Sequence, residues 1–549
     1  MLRLSRDLAT PGRAAGGIGR WRTVSRGGHV SDPIYDAKTL WELVERRAAA
    51  SPDTPMLLDP EGRTVTFGAF RDWAERVAAG YHALGITAGT RVTWQLVTRI
   101  ESIVAATALA RLGAVQNPII PFYREKEVGF CLRQTEAEYY LTPGTWKGFD
   151  FVAMGEALAK EQPGGLTVLT AYDDLPEGDP ATLPPAPGDG DEVRWLYYTS
   201  GTTSDPKGVQ HTDGTLIAGG IGLARALDMS ETDIGSIAFP YAHIAGPDYV
   251  NTLLITGFPA VIIETFDPAA VIPVYARLGV TMVGGSTAFY VAFLNEQRKQ
   301  PGTKIIPTLR IVSGGGAPKP PELFREVVDE MQAVLCHGYG MTESPMIAQG
   351  GPTDTEDQLT YTEGRPVYGI EVRIVRADGT LAGPDEEGEV RLRGPMVFKG
   401  YTDPELTKEA FDQDGFYHTG DLGKLRADGH LTLTGRLKDV IIRKGENISA
   451  REIEDLLFAH PKVADVAVVG LTDRERGERV CAVVERVPGQ PDLEFAEMVR
   501  YLKDASLMVQ KIPEQLEIVD ALPRNETLRK VLKFRIRDEY NAKPWTPQR

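Results

Sequence analysis

Residues Tyr198-Thr199-Ser200-Gly201-Thr202-Thr203-Ser204-Asp205-Pro206-Lys207-Gly208-Val209 crowd hydroxyls, glycines and one lysine into a short segment. That set suits a polyphosphate. Hydroxyls and backbone N–H groups can close on its oxygens where no Cβ intrudes, and an ammonium supplies a compact positive charge. The segment departs from the usual P-loop, because its second glycine follows the lysine instead of preceding it. A run of Ser, Thr and Gly is by composition equally a solvated linker. Taken alone, the segment leaves both readings open.

Other residues of chemical interest are also ambiguous singly. Glu343, in Gly338-Tyr339-Gly340-Met341-Thr342-Glu343-Ser344, reads by itself as a surface carboxylate. Asp421, in Thr419-Gly420-Asp421, reads as a turn residue. His243 lies in the apolar stretch Phe239-Pro240-Tyr241-Ala242-His243-Ile244-Ala245-Gly246, where a lone histidine is more often packed than catalytic.

The elements that must hold these residues follow an α/β rhythm. Thr39-Leu40-Trp41-Glu42 carries a capping-box signature opening a helix through about residue 50. Helical patterns follow near 67–83 and 102–112, with strands expected at 115–120 and 168–172. The apolar run Val193 to Tyr198 reads as a buried strand that carries the hydroxyl-rich segment at its end. The Pro- and Gly-rich stretch 176–190 is expected on the surface. Near 381–433 the pattern changes to short β segments and turns, among them 388–394 and 431–433. The last ~110 residues restart as a compact α/β unit. There Ser449 and Glu452 cap a helix through about 458, strands fall at 463–469 and 480–484, and a helix lies near 495–503.

At 549 residues the chain exceeds one ordinary hydrophobic core, so at least two domains are expected. Its 76 acidic residues against 60 basic ones give a formal charge of −16, which argues against nucleic acid as a partner. Any anionic ligand must then be held by local groups. Cys131, Cys336 and Cys481 are too far apart in sequence to suggest a disulfide framework or a metal cluster, and a reducing cytoplasm is the simplest setting. No apolar run reaches the ~18 residues of a membrane span. The first thirty residues hold six arginines against the single acid Asp7. They read as a disordered extension or as an organelle presequence, the former favoured.

Read together, the loop at 198–209, the 338–344 motif, Thr419-Gly420-Asp421 and Gly435-Arg436-Leu437-Lys438-Asp439 closely resemble the adenylate-forming superfamily, from about Thr39 to Arg537. The resemblance implies a large N-terminal adenylation domain over 31–436, with α/β subdomains and a β-rich subdomain. It also implies a small mobile C-terminal α/β domain over 437–549. It implies ATP, Mg²⁺ and CoA as cofactors: a carboxylate attacks the α-phosphorus of ATP, pyrophosphate leaves, and a thiol then displaces AMP from the acyl-adenylate.

By that resemblance, Thr199, Ser200, Gly201, Thr202, Thr203 and Lys207 close on the β- and γ-phosphates, with Ser204 standing where the family usually has glycine. Thr342 bonds the α-phosphate and Glu343 holds Mg²⁺. Adenine lies between Tyr339 and the backbone of Gly315, Gly316, Ala317 and Pro318, beside Gly340. Asp421 takes the ribose hydroxyls with help from Arg436, and His243 gates the acyl tunnel. Lys438 is the hinge, and Gly445 lies on a face that lines a pantetheine tunnel. The family's Pro-Arg-Thr-x-x-Gly-Lys is altered here to Pro523-Arg524-Asn525-Glu526-Thr527-Leu528-Arg529-Lys530. The downstream match favours Lys530 as the catalytic lysine, with Arg529 the competitor and Lys533 third.

Three features favour a carboxylate–CoA ligase over a ligase that loads a carrier protein. The chain ends soon after the small domain. Ile244 replaces the aspartate of amino-acid-activating members. The glycines at 284–285 and 314–316 leave room for an apolar fatty or cyclic acid. A homo-oligomer is compatible with this reading, which requires no integral membrane segment.

Overall fold

Thr39 starts the helix Leu40–Ala50, its hydroxyl accepting from the Glu42 N–H at 3.1 Å. The second half of the expected capping box goes elsewhere. Glu42 Oε2 accepts from the N–H of Lys38 at 2.9 Å, one residue outside the cap. The glutamate still satisfies a donor at the helix entrance, but the outer one.

The computed structural model describes residues 32–162, 164–172, 175–199, 206–317, 319–443, 446–474, 476–505, 507–525, 529–546 and 548. The extension expected over 1–30 lies outside them, as do Ser200, Gly201, Thr202, Thr203, Pro318 and Gly445. Helices Phe67–Ala83 and Ile100–Leu112 match their sequence patterns. The second begins two residues earlier than expected, because Arg99 is still extended and forms the N-cap. None of the described helices is long and apolar enough to cross a membrane.

Three sheets of the larger part position the residues of interest. In the first, Val115–Pro118, Arg91–Trp94, Tyr139–Thr142 and Thr167–Thr170 run parallel. Val193–Thr199 joins them, pairing parallel with Val115–Pro118. The antiparallel strand Lys207–Thr212 then folds back on Val193–Thr199, with Lys207 opposite Thr199. The short strand Gly400–Tyr401 closes that edge, Tyr401 opposite Val209.

The second sheet has Met282–Gly285, Ile311–Gly314 and Val334–Met341 in parallel. Its last strand turns directly into Ser344–Gln349. Met341 pairs with Ser344, so Thr342 and Glu343 occupy the two-residue turn. The third is antiparallel, with Glu371–Val375, Gly388–Arg393, Tyr417–Leu425 and Leu431–Arg436 in order. Its register sets Asp421 opposite Arg436.

A separate sheet follows, built from Val440–Arg443, Glu446–Ser449, Val463–Asp473, Gly477–Arg486 and Gln515–Val519. Helices Ala450–Phe458 and Phe495–Asp504 cover it, the first capped by Ser449. Its buried cluster (Ile441, Ile453, Leu457, Val480, Met498 among others) has no member before Ile441, whereas the main core runs from Ile34 to Leu431. The chain is thus mixed α/β with a large N-terminal and a smaller C-terminal part. Polar ties join the two: Ser449 Oγ donates to the Thr434 carbonyl at 2.6 Å, and Arg451 pairs with Glu363 at 2.9 Å.

Candidate active site

Glu343 is the centre from which the site can be traced. It is 8% exposed, and its Oε1 accepts from the Tyr401 hydroxyl at 2.8 Å. Tyr401 also carries Lys207 over its ring face, with Nζ 5.1 Å from the centroid. The lysine at the end of the hydroxyl-rich loop and the glutamate of the 338–344 motif therefore meet on one tyrosine. Tyr417 adds its hydroxyl 3.2 Å from that of Tyr401.

Four residues along the same strand, Asp421 has both carboxylate oxygens engaged. Tyr339 OH donates to Oδ2 at 2.6 Å, and Arg436 Nε meets Oδ1 at 2.8 Å. Its backbone N–H donates to Thr419 Oγ1 at 3.0 Å. Burial and then the Asp421 charge push the Tyr339 phenol well above its ordinary pKa, so it remains a proton donor.

Lys530 arrives from the C-terminal part. Arg524 bridges Val531, and the Lys530 N–H donates to Asn525 Oδ1 at 2.9 Å, which fixes the backbone of Lys530. Burial, followed by the nearby Arg436 charge, pulls the Lys530 ammonium down to about 8, while Asp421 and Glu343 act in the opposite sense. Its two competitors point elsewhere. Arg529 is exposed with φ 57°, and Lys533 is spent on an ion pair with Glu454 at 2.7 Å.

His243 completes the group. Burial first, and the Lys530 charge second, lower its pKa to about 4. Its Nδ1 accepts from the Ala245 N–H at 3.3 Å, so the neutral ring carries its proton on Nε2. Lys438 sits in the turn Leu437–Asp439, where burial and Arg436 lower its pKa.

Thr342 is held by a residue that sequence reasoning did not single out. The fully buried His211 meets the Thr342 carbonyl through Nε2 at 2.7 Å and Thr215 Oγ1 through Nδ1 at 2.9 Å. A carbonyl only accepts, so the proton lies on Nε2 and Nδ1 accepts from Thr215. Burial lowers the His211 pKa to about 4, which keeps that tautomer neutral.

The glycines at the ends of the second sheet serve close approach. A Cβ on Gly315 would lie 2.4 Å from the Gly338 carbonyl oxygen. At Gly285 and Gly314 this differs from the expectation of free room. At Gly285 the space is already filled by the Phe289 ring, 2.5 Å from such a Cβ, and at Gly314 by the Gly285 carbonyl oxygen at 1.7 Å. Phe289 in turn packs on Phe266 at 4.3 Å.

A cavity of about 20 Å³, room for one water, lies among Thr342, His243, Tyr198, Tyr123 and Ile119. A larger one of about 680 Å³ shares no residue with the site and opens between Lys319, Glu363, Lys424, Arg426 and Arg451.

Of the expected site residues, Lys207, Glu343, Tyr339, Asp421, Arg436, Lys438, Lys530 and His243 thus form one connected neighbourhood, with Thr342 beside Glu343 in the turn. Thr199 ends the strand entering the loop, Gly340 lies within Val334–Met341, and Gly316 and Ala317 follow Ile311–Gly314. A divalent cation fits the donor set. The described residues leave Glu343 Oε2 without a hydrogen bond, and Mg²⁺ prefers one or two carboxylates completed by phosphate oxygens and water.

Comparison with known proteins agrees in extent. The profile of the AMP-binding enzyme family matches residues 44–402, and that of the AMP-binding enzyme C-terminal domain matches 452–528. The chain is 31% identical over 520 residues to a medium-chain fatty-acid–CoA ligase of Escherichia coli K12, covering 92% of this chain and 91% of that one. It is 32% identical over 506 residues to a salicyl-AMP ligase/salicyl-S-ArCP synthetase of Mycobacterium tuberculosis, covering 89% and 88%. Among solved structures, o-succinylbenzoate coenzyme A synthetase of Bacillus subtilis in complex with ATP and magnesium ion superposes with a TM-score of 0.79 at 29% identity, covering 90% and 98%.

Proposed function

The chain belongs to the AMP-binding enzyme family, within the adenylate-forming superfamily, and on that premise we propose that it is an AMP-forming acid–CoA ligase acting on a fatty or cyclic apolar acid. The observation that carries the site assignment is the shared neighbourhood of Glu343, Asp421 and Lys530, three charged groups from three different sheets and segments.

In the first half-reaction a carboxylate oxygen of the acid bonds to the α-phosphorus of ATP, and the bond to the β-phosphate oxygen breaks, releasing pyrophosphate. We assign Lys530 to the carboxylate and α-phosphate, where its ammonium offsets charge gathering on the oxygens. Thr342 donates to the α-phosphate and Lys207 meets the β- and γ-phosphates, with the loop residues Ser200, Gly201, Thr202 and Thr203 around them. Mg²⁺ bound to Glu343 would neutralise phosphate charge. Asp421 holds the ribose through its remaining lone pairs, with Arg436 assisting, and Tyr339 lies along the adenine. His243, kept neutral by burial and the Lys530 charge, lines the entry for the acid instead of transferring a proton.

In the second half-reaction the CoA sulfur bonds to the acyl carbon and AMP leaves with the electron pair. We assign Lys438 as the pivot on which the residues from 437 onward turn, withdrawing Lys530 and bringing Gly445 to the thiol's path. Conformational exchange of this kind lets one cleft serve two chemistries. A cytoplasmic setting suits the three buried free thiols.

The runner-up acceptor is a carrier-protein thiol, favoured by the similarity to a salicyl-S-ArCP synthetase. A panel of acids from acetate to long-chain and cyclic carboxylates, each with ATP, Mg²⁺ and CoA, tests the reading. Pyrophosphate release coupled to loss of free CoA thiol is expected. Pyrophosphate release without thiol loss, restored by a carrier protein, would select the runner-up.

A further inference from the structure

Tyr401 touches two of the groups assigned above to nucleotide and metal, yet belongs to none of the motifs that pointed to them. We propose that Tyr401 is a positioning residue that orients Glu343 for the divalent cation and holds Lys207 in place for the triphosphate. The inference rests on those assignments of Glu343 and Lys207.

Hydrogen-bond polarity supports the first half. A carboxylate only accepts, so the Tyr401 proton is committed to Glu343 Oε1. The Tyr401 oxygen then accepts from Tyr417, 3.2 Å away. This relay fixes one carboxylate oxygen and, among the described residues, leaves the other without a hydrogen bond, the arrangement a metal-binding carboxylate needs from its supporting partners.

Backbone register supports the second half. Tyr401 pairs with Val209, and Lys207 lies two residues along the same strand, hence on the same face and diagonal to the tyrosine. The ring is 7% exposed and wedged edge-on against Phe398 at 4.8 Å. The Tyr401 N–H is anchored on Thr407 Oγ1 at 2.8 Å. A ring so fixed offers the Lys207 ammonium a defined but exchangeable partner, which phosphate oxygens can outcompete.

The test separates the two halves by substitution. Tyr401→Phe keeps the ring face and removes the hydroxyl, whereas Tyr401→Leu removes both. Mn²⁺ is titrated onto each full-length variant with α,β-methylene-ATP, following the free-Mn²⁺ electron paramagnetic resonance signal, and ATP affinity in EDTA is measured by calorimetry. Y401F should weaken Mn²⁺ binding roughly 10- to 100-fold and leave metal-free ATP affinity within about twofold. Y401L should weaken both, metal-free ATP by about fivefold. Wild-type Mn²⁺ affinity in Y401F, or unchanged metal-free ATP affinity in Y401L, overturns the proposal. Glu343→Gln is the control. If it keeps Mn²⁺ affinity, the metal assignment itself fails; if it loses it while Y401F does not, only the role of Tyr401 fails.

Discussion

The Tyr339 hydroxyl donates to Asp421 Oδ2 at 2.6 Å, so the carboxylate assigned to the ribose is already occupied by the side chain assigned to the adenine. The two groups hold each other in place before any nucleotide binds. Each oxygen keeps a further lone pair, so a sugar diol can bond Asp421 while the phenol and Arg436 hold the carboxylate.

Removing the carboxylate therefore removes two charge-assisted bonds to the ribose. Asp421→Ala should weaken ATP binding by about 1.5–3 kcal/mol, roughly 10- to 100-fold. Calorimetric titration with ATP checks this, and unchanged affinity would place the ribose elsewhere.

Lys530→Ala should slow acyl-adenylate formation by about 10²–10³, while thioester formation from supplied acyl-adenylate stays close to wild type. Equal loss in both half-reactions contradicts the assignment. The pH dependence has a definite sign. The lysine acts as the cation, and its pKa is pulled down to about 8 by burial and Arg436. kcat/KM for adenylation should fall as pH rises through that value, about tenfold per unit, and K530A should lack this limb.

How much of this was legible in the chain differs by residue. The helix at Leu40–Ala50 and the strand Val193–Thr199 announce themselves through caps and apolar runs, which are local signals. Lys207, Glu343 and Asp421 were recognisable only because several short motifs occur in a fixed order. Tyr401 was not, since a two-residue strand is too short for any periodicity. His211 was hidden for another reason: within Lys207–Thr212 it is one buried strand residue, and its bond to Thr342 spans 131 positions. Gly285, Gly314 and Gly315 misled, because a missing Cβ there serves a neighbouring ring or strand.

His211 gives a stability prediction. Its folded pKa of about 4 is below the ordinary 6.5, so the unfolded chain takes up the proton more readily. The contribution of the neutral ring is present above pH 6.5 and is lost as pH falls toward 4. From pH 7 to pH 5 this amounts to about 2 kcal/mol. His211→Gln can retain both hydrogen bonds without titrating. Denaturant unfolding at the two pH values should show wild type losing about 2 kcal/mol more than H211Q. Equal losses would contradict burial as a neutral ring.

Phe289 gives a specificity prediction. Its ring fills the space beside Gly285, next to Phe266. Phe289→Ala should open that space and raise kcat/KM for longer or bulkier acids relative to shorter ones by tenfold or more, in line with about 1–3 kcal/mol per methylene accommodated. An unchanged ranking across the acid panel would put the acyl group on another wall.

The path of one oxygen atom tests the central chemistry most directly. With an accepted acid labelled with ¹⁸O in its carboxylate, ATP, Mg²⁺ and CoA, attack on the α-phosphorus predicts AMP carrying one ¹⁸O and unlabelled pyrophosphate. Label recovered in inorganic phosphate alongside ADP, or absent from AMP while acyl-CoA accumulates, would contradict the account.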